Sequence, residues 1–162
     1  MQRITNCVIH NNGKILMLQK PSRLWWVAPG GKMEPEESIQ ASAVRETKEE
    51  TNILVKNPHI RGIYTMVIKD QGETISEWML FSFEAFEWEG TAWEYSPEGL
   101  LEWVDKDSVS SLDMNPGDYH ILQHTLFGKG VMYGTFYFTP ENELISYELS
   151  GGELNESGNE RG

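Results

Sequence analysis

The stretch Gly30-Gly31-Lys32-Met33-Glu34-Pro35-Glu36-Glu37-Ser38-Ile39-Gln40-Ala41-Ser42-Ala43-Val44-Arg45-Glu46-Thr47-Lys48-Glu49-Glu50-Thr51-Asn52 decides the fold. From Ser38 to Thr51 it contains no Gly or Pro and is dominated by Ala, Glu, Gln, Arg and Ser, which predicts a helix. Asn52 suits a left-handed C-cap. On that helix Glu46, Glu49 and Glu50 fall at i, i+3 and i+4, so three carboxylates share one face. Like charges at that spacing repel, and a cation reverses the sign of that interaction. Carboxylate oxygens are the ligands that hard cations such as Mg2+ prefer. Arg45 adds a planar fork of donors beside them, and Glu37 stands where a helix start favours negative charge. Taken alone, three such carboxylates are more often a solvated, charged helix face than a metal site.

Around this stretch the chain alternates strand and turn signals. Ile4 to Ile9 and Ile15 to Leu18 read as strands joined by the Asn11-Asn12-Gly13 turn. Trp25 to Ala28 is a short strand ending at Pro29-Gly30-Gly31. Ile60 to Ile68 and Ile75 to Phe86 flank a loop over residues 69–74, and Glu87 to Glu98 reads as an acidic loop. Leu100 to Val104 is a strand and Asp118 to Phe127 a helix stopped by Gly128. Val131 to Phe138 and Leu144 to Leu149 form a last hairpin. Residues 1–150 are expected to form one domain and 151–162 a polar, Gly-rich, disordered tail. The fold class is α/β in the mixed α+β sense, a mixed β-sheet sandwiched between helices.

Charge sharpens the picture. The 162 residues carry 13 Lys+Arg against 25 Asp+Glu, a net charge of -12. Residues 1–33 hold five basic residues (Arg3, Lys14, Lys20, Arg23, Lys32) and no acid. The acidic balance argues against duplex nucleic acid and against a basic membrane-surface segment. A single cysteine, Cys7, excludes an intrachain disulfide. No run of 18 apolar residues and no secretory leader pattern is present, so a cytoplasmic protein without a membrane partner is expected.

Gly31, Glu37, Arg45-Glu46 and Glu49-Glu50 sit at the spacing of the Nudix signature, a coincidence on the order of 10^-6 per window from residue frequencies. The chain therefore resembles the Nudix hydrolase superfamily. Two signature positions depart: Thr47 stands for an aliphatic residue and Asn52 for a glycine. The resemblance implies the Nudix fold and metal-dependent attack of water on a diphosphate linkage of a nucleotide. It implies that Glu46, Glu49, Glu50 and the Gly30 carbonyl hold Mg2+, with Mn2+ as a substitute. Glu37 and Arg45 orient the cluster. Glu98, with Glu94 in reserve, completes the metal shell or serves as base. Arg23, Lys32 and Gly31 would meet the phosphates, and Asn6, Asn115 and Asp118 the base.

Pro29-Gly30-Gly31-Lys32 after Trp25-Trp26 is similar to the MutT-like branch, which sanitises oxidised purine nucleotides, and to small Gram-positive members labelled 8-oxo-dGTP diphosphatase. The ending from Tyr133 to Leu149 is similar to the mammalian oxidised-purine triphosphatase. Where that enzyme has Trp-Pro-Asp-Asp, this chain has Asn115-Pro116-Gly117-Asp118, and its Asn after the loop Trp is Val27 here. Losing hydrogen bonds to the base relaxes selection. The expected activity is hydrolysis of a purine nucleoside polyphosphate (8-oxo-dGTP, dGTP or GTP type) to the monophosphate. The alternatives are a guanosine alarmone (ppGpp or pppGpp) or RNA 5′-end pyrophosphohydrolase, and a catalytically silent nucleotide sensor. A prenyl diphosphate isomerase has little support from the early Cys7. The partner is a small nucleotide, and the protein is expected to be a monomer or homodimer. His120 and His124, at i and i+4, have zinc-compatible spacing but no third ligand nearby. Trp93 and Tyr119, in or beside loops, are read as packing or surface residues rather than base-stacking ones.

Overall fold

The computed structural model describes residues 1–153. In chain order the elements are β1 (Gln2–Asn11), β2 (Lys14–Gln19), β3 (Trp26–Val27), β4 (Gly30–Lys32), α1 (Ile39–Thr51), β5 (Leu54–Lys56), β6 (His59–Asp70) and β7 (Glu73–Ala85). There follow β8 (Glu87–Glu89), β9 (Tyr95–Ser96), β10 (Gly99–Asp105), a 3-10 turn (Lys106–Ser111), α2 (Pro116–Phe127), β11 (Lys129–Phe138) and β12 (Leu144–Glu153).

The main sheet runs β12-β11-β6-β7-β1-β2-β10-β9, with β3 on β2 and β4 on β1. β1 is parallel to β7 and β11 parallel to β6, while the hairpins are antiparallel, so the sheet is mixed. Side chains of a strand alternate between faces. On β1, Cys7 and Ile9 pack with Ala43 of α1, and Val8 packs with Leu122 of α2. The two helices therefore cover opposite faces, the expected α+β sandwich.

The β1–β2 turn places Asn12 and Gly13 at φ 51° and 82°, the double positive φ of a tight hairpin. Gln71 and Gly72 do the same at 52° and 84°. The loop expected over residues 69–74 is thus only two residues long, and β6 and β7 are longer than expected. The expected acidic loop from Glu87 to Glu98 contains β8, which pairs with β5, and β9, which pairs with β10. These strands are two or three residues long and have no readable periodicity of their own. Gly30 to Lys32 is strand rather than loop, because its backbone pairs with Ile4 to Asn6. β12 runs through Gly151 and Gly152 to Glu153, pairing with β11 as far as Lys129. The first three residues of the expected tail are therefore strand, and the rest of it lies outside the described residues.

α1 begins one residue later than read, because Ser38 is the N-cap, its Oγ accepting from the Ala41 N–H at 3.0 Å; Asn52 ends the helix as expected, at φ 71°. Glu37 consequently precedes the cap instead of opening the helix. α2 starts two residues earlier than expected, with Asn115 as cap and Pro116 in the first turn. Its C-terminus is gripped by Arg61 of β6, whose guanidinium donates to the carbonyls of Thr125 at 2.9 Å, Gly128 at 3.0 Å and Gly130 at 2.9 Å. The Thr125 carbonyl is among those that a helix end leaves without partners. Arg61 also pairs with the buried Glu84, which accepts from His10 at 2.8 Å. His124 is fully buried, with Nε2 against the Gly130 carbonyl, and the His120 ring packs at a tilt against Tyr147, so this helix face is core. Cys7 is a buried core residue, and burial pushes its thiol pKa up.

Removing one partner of a buried ion pair leaves the other charge uncompensated. Arg61→Leu should lower unfolding stability by about 3–5 kcal/mol in a urea titration. A loss below about 1 kcal/mol would mean that Glu84 finds another partner.

Candidate functional site

Two adjoining glycines bring β1, β4 and α1 together. A Cβ on Gly30 would lie 2.1 Å from the Thr5 carbonyl oxygen, and one on Gly31 would lie 2.3 Å from Glu46 Oε1. Neither position has room for a side chain, so β4 can press between β1 and α1. The Gly30 N–H then donates to Glu50 Oε1 at 3.0 Å.

Arg45 organises the carboxylates. Its Nε and one terminal nitrogen donate to Glu37 at 2.6 and 3.0 Å, a bidentate pair. The other terminal nitrogen donates to Glu46 at 2.9 Å and Glu49 at 3.2 Å. A further bond reaches the Lys32 carbonyl at 3.1 Å. Glu37 also accepts the Glu34 N–H at 2.9 Å. The Arg45 hydrogen bonds pull the Glu37 pKa down to about 2.

Glu50 behaves in the opposite way. Burial, reinforced by the charges of Glu46 and Glu98, pushes its pKa up to about 7 against the pull of the Gly30 N–H and Lys20. Glu98 is thus the loop carboxylate whose field reaches Glu50, and Lys20 Nζ stands 4.0 Å from it. Among the described residues no three Asp, Glu, His or Cys groups close into a metal-holding set. The donor types nevertheless fit a hard divalent cation. All are oxygens, and Glu50 is a partly buried carboxylate whose strongest charged neighbours include two further carboxylates.

The remaining expected residues divide. Arg23 is exposed on the β2–β3 loop, its guanidinium 5.0 Å from the Trp25 ring centroid. Lys32 is exposed on β4, next to the glycines. Asn6 faces the α2 side of the sheet, as Ile4 and Val8 do, and its buried Oδ1 has no partner. Asp118 lies in the first turn of α2, and burial pushes its pKa up to about 6. Asn115 differs from expectation: its Oδ1 accepts the Gly117 N–H at 2.8 Å and caps α2, so that oxygen is committed to the helix start. Sequence reasoning gave Arg45 an orienting role but not its reach to three carboxylates and a carbonyl, and it missed the Gly30–Glu50 bond. The Arg-Glu pair with Glu four residues on hinted at the first, but only strand pairing creates the second.

The chain matches the NUDIX domain model over residues 1–125. It is 50% identical over 149 residues to the Nudix hydrolase YvcI of Bacillus subtilis, covering 92% of this chain and 94% of that protein. It is 27% identical over 128 residues to the CTP pyrophosphohydrolase of Escherichia coli, covering 76% of this chain and 90% of that one. The crystal structure of a MutT protein from Bacillus halodurans superposes with a TM-score of 0.90 at 53% identity, covering 93% of this chain and 98% of that one.

Two variants test the local physics. Thr47 is fully buried in α1 and its Oγ1 has no partner. Replacing it with the isosteric Val should raise stability by about 1 kcal/mol in a thermal or urea melt; a destabilised variant would show that the hydroxyl is satisfied. Asp118 binds its proton up to about pH 6 when folded but releases it near 3.8 as an ordinary carboxyl. The folded state therefore loses stability as pH rises through that window. Asp118→Asn should melt higher than the wild type at pH 7.5 and lose that advantage at pH 3.5, whereas a pH-independent difference would overturn the assignment.

Proposed function

The chain belongs to the Nudix hydrolase family, whose members act on nucleoside diphosphate derivatives, and on that premise we propose that it hydrolyses a purine nucleoside polyphosphate of the 8-oxo-dGTP, dGTP or GTP type to the monophosphate, releasing pyrophosphate or phosphate. The observation that carries the reading is the Arg45-ordered group of Glu37, Glu46 and Glu49 set beside Gly30-Gly31 and the partly buried Glu50.

Glu46, Glu49 and Glu50, with the Gly30 carbonyl and Glu98, would hold the Mg2+ or Mn2+. Bound there, the cation supplies neutralisation of the phosphate charge and acidifies water. Glu98, exposed on the loop before β10, serves either in that shell or as the base that takes the proton of the attacking water, whose oxygen bonds to the attacked phosphorus. The bond between the bridging oxygen and the attacked phosphorus breaks, and the leaving phosphate keeps that oxygen. Arg45 touches no substrate; it positions Glu46 and Glu49. Arg23 and Lys32, at the rim, hold the terminal phosphates.

The nucleoside enters on the α2 side. The unpartnered Asn6 oxygen accepts from the base, and Asp118, with its raised pKa, can donate to the base or accept from it. With Val27 and Gly117 in place of hydrogen-bonding side chains, discrimination for the 8-oxo group is weak. The protein works as a small-molecule enzyme of the cytoplasm, as a monomer or homodimer. No helix among the described residues is long and apolar enough to cross a membrane.

Glu49→Gln and Glu50→Gln should each cut Mg2+-dependent phosphate or pyrophosphate release at least 100-fold while the protein stays folded. Turnover surviving in both variants would remove the metal assignment, and a wild type without turnover would leave a sensor. A panel of 8-oxo-dGTP, dGTP, guanosine tetraphosphate and CTP reads the base. The purine reading fails if CTP is turned over as fast as the guanine nucleotides.

A further inference from the structure

We propose that the open face of the sheet between β7 and β12 is where a second copy of this chain packs, about a two-fold axis that runs along the strands over Thr65. On its other face this half of the sheet is covered by α2: Tyr64, Met66, Leu80 and Phe136 pack with Ile121. Side chains alternate along each strand, so Ile63, Thr65, Met79, Tyr133 and Tyr137 point away from α2. The helix on that side, α1, packs on β1, β4 and β5 and leaves this half open. Ile75 is 56% exposed and Tyr133 50%. Around Ile63, Thr65, Met79 and Tyr133 the surface sinks into a depression of about 440 Å3.

Strand register places the charges on this face. Glu148 of β12 stands beside Thr135 of β11, Thr135 beside Thr65 of β6, Thr65 beside Met79 of β7, and Met79 beside Arg3 of β1. The row therefore begins on an exposed acid and ends on an exposed base. Four strand spacings, about 19 Å, separate the two. Thr65 is the midpoint, and its hydroxyl donates to Met79 Sδ at 3.3 Å. Among the described residues neither Arg3 nor Glu148 has an ion-pair partner.

Two-fold symmetry makes that row complementary to itself. Sheets stacked face to face lie about 10 Å apart with their strands within about 30° of each other. An axis between the sheets and along the strands exchanges the two ends of the row. Glu148 then stands over Arg3 of the partner subunit, and Arg3 over the partner's Glu148. An axis across the strands would instead set Glu148 against Glu148 and Arg3 against Arg3, so charge selects the first arrangement. Short Thr65 and Thr135 at the centre let the sheets approach, with Ile63, Tyr133 and Tyr137 around them and the charges at the rim. Five strands at about 4.8 Å, over a length of about 20 Å, give roughly 500 Å2 per copy and about 1,000 Å2 in total. That area is at the lower end for a specific interface, so dilution should separate the copies.

Sedimentation velocity over a dilution series of the full chain tests the pairing, whatever the chemistry beside α1. The wild type should be a dimer at high concentration and a monomer when dilute. Arg3→Glu sets like charges against each other at both ends of the row, and so does Glu148→Arg. Each should raise the dimer dissociation constant about 10-fold or more. Both side chains are exposed, so circular dichroism should show each variant folded. The double variant Arg3→Glu with Glu148→Arg restores opposite charges across the axis and should return the constant to within about 3-fold of the wild type. A wild type that stays monomeric at high micromolar concentration overturns the proposal. So does a dimer that neither single reversal weakens, which would pair through another surface, and so does a double variant that remains as weak as the single ones.

Discussion

The Arg45 guanidinium is the contact on which the site depends. It grips both oxygens of Glu37, one oxygen each of Glu46 and Glu49, and the backbone carbonyl of Lys32. A planar fork with five donors can do this; a lysine ammonium could not satisfy the same directions. Without that charge α1 would present four acidic side chains around one turn and its approach, with only repulsion between them. With it, the loop from Lys32 to Glu37 is tied to the helix, and Glu46 is brought against Gly31.

The cluster is balanced unequally. Glu37 is compensated, and its pKa lies near 2. Glu50 is not, and its pKa lies near 7. Two carboxylates on neighbouring elements are thus driven apart by environment alone, one held charged by hydrogen bonds and the other pressed towards its neutral form by burial. That residual negative potential beside Gly30-Gly31 is what a divalent cation would relieve. The overall acidity, which argues against duplex nucleic acid, is at this spot compatible with phosphates once a cation stands between them. The basic first third of the chain borders the same place through Arg23 and Lys32.

Much of this was legible before any fold was known, because it rests on local rules. The run from Ser38 to Asn52 carries its own helix formers and terminator, and the structure reproduces both, with Ser38 as the cap. Asn12-Gly13 dictates its turn by φ alone. The spacing of Glu46, Glu49 and Glu50 puts them on one face of any helix. By contrast β5, β8 and β9 are too short to show a period, and they exist because a neighbouring backbone is there to pair with. The same holds for β12 beyond Ser150, where Gly151 and Gly152 read as a flexible tail until β11 is beside them. Asn115 reads as a base contact from the resemblance, yet the start of α2 claims its oxygen.

The sequence by itself determined the family, the two helices, most of the long strands and the identity of the acidic cluster, since each depends on spacings within a dozen or so residues. The tertiary structure alone decided which carboxylate is compensated and which is left with a raised pKa. It also decided that Gly30 donates to Glu50, and that Arg61, paired with Glu84, closes the end of α2. The Gly30–Glu50 and Arg61 contacts join residues 20 to 69 positions apart. Their energies depend on burial and on the direction of backbone donors, and neither exists until the sheet has formed.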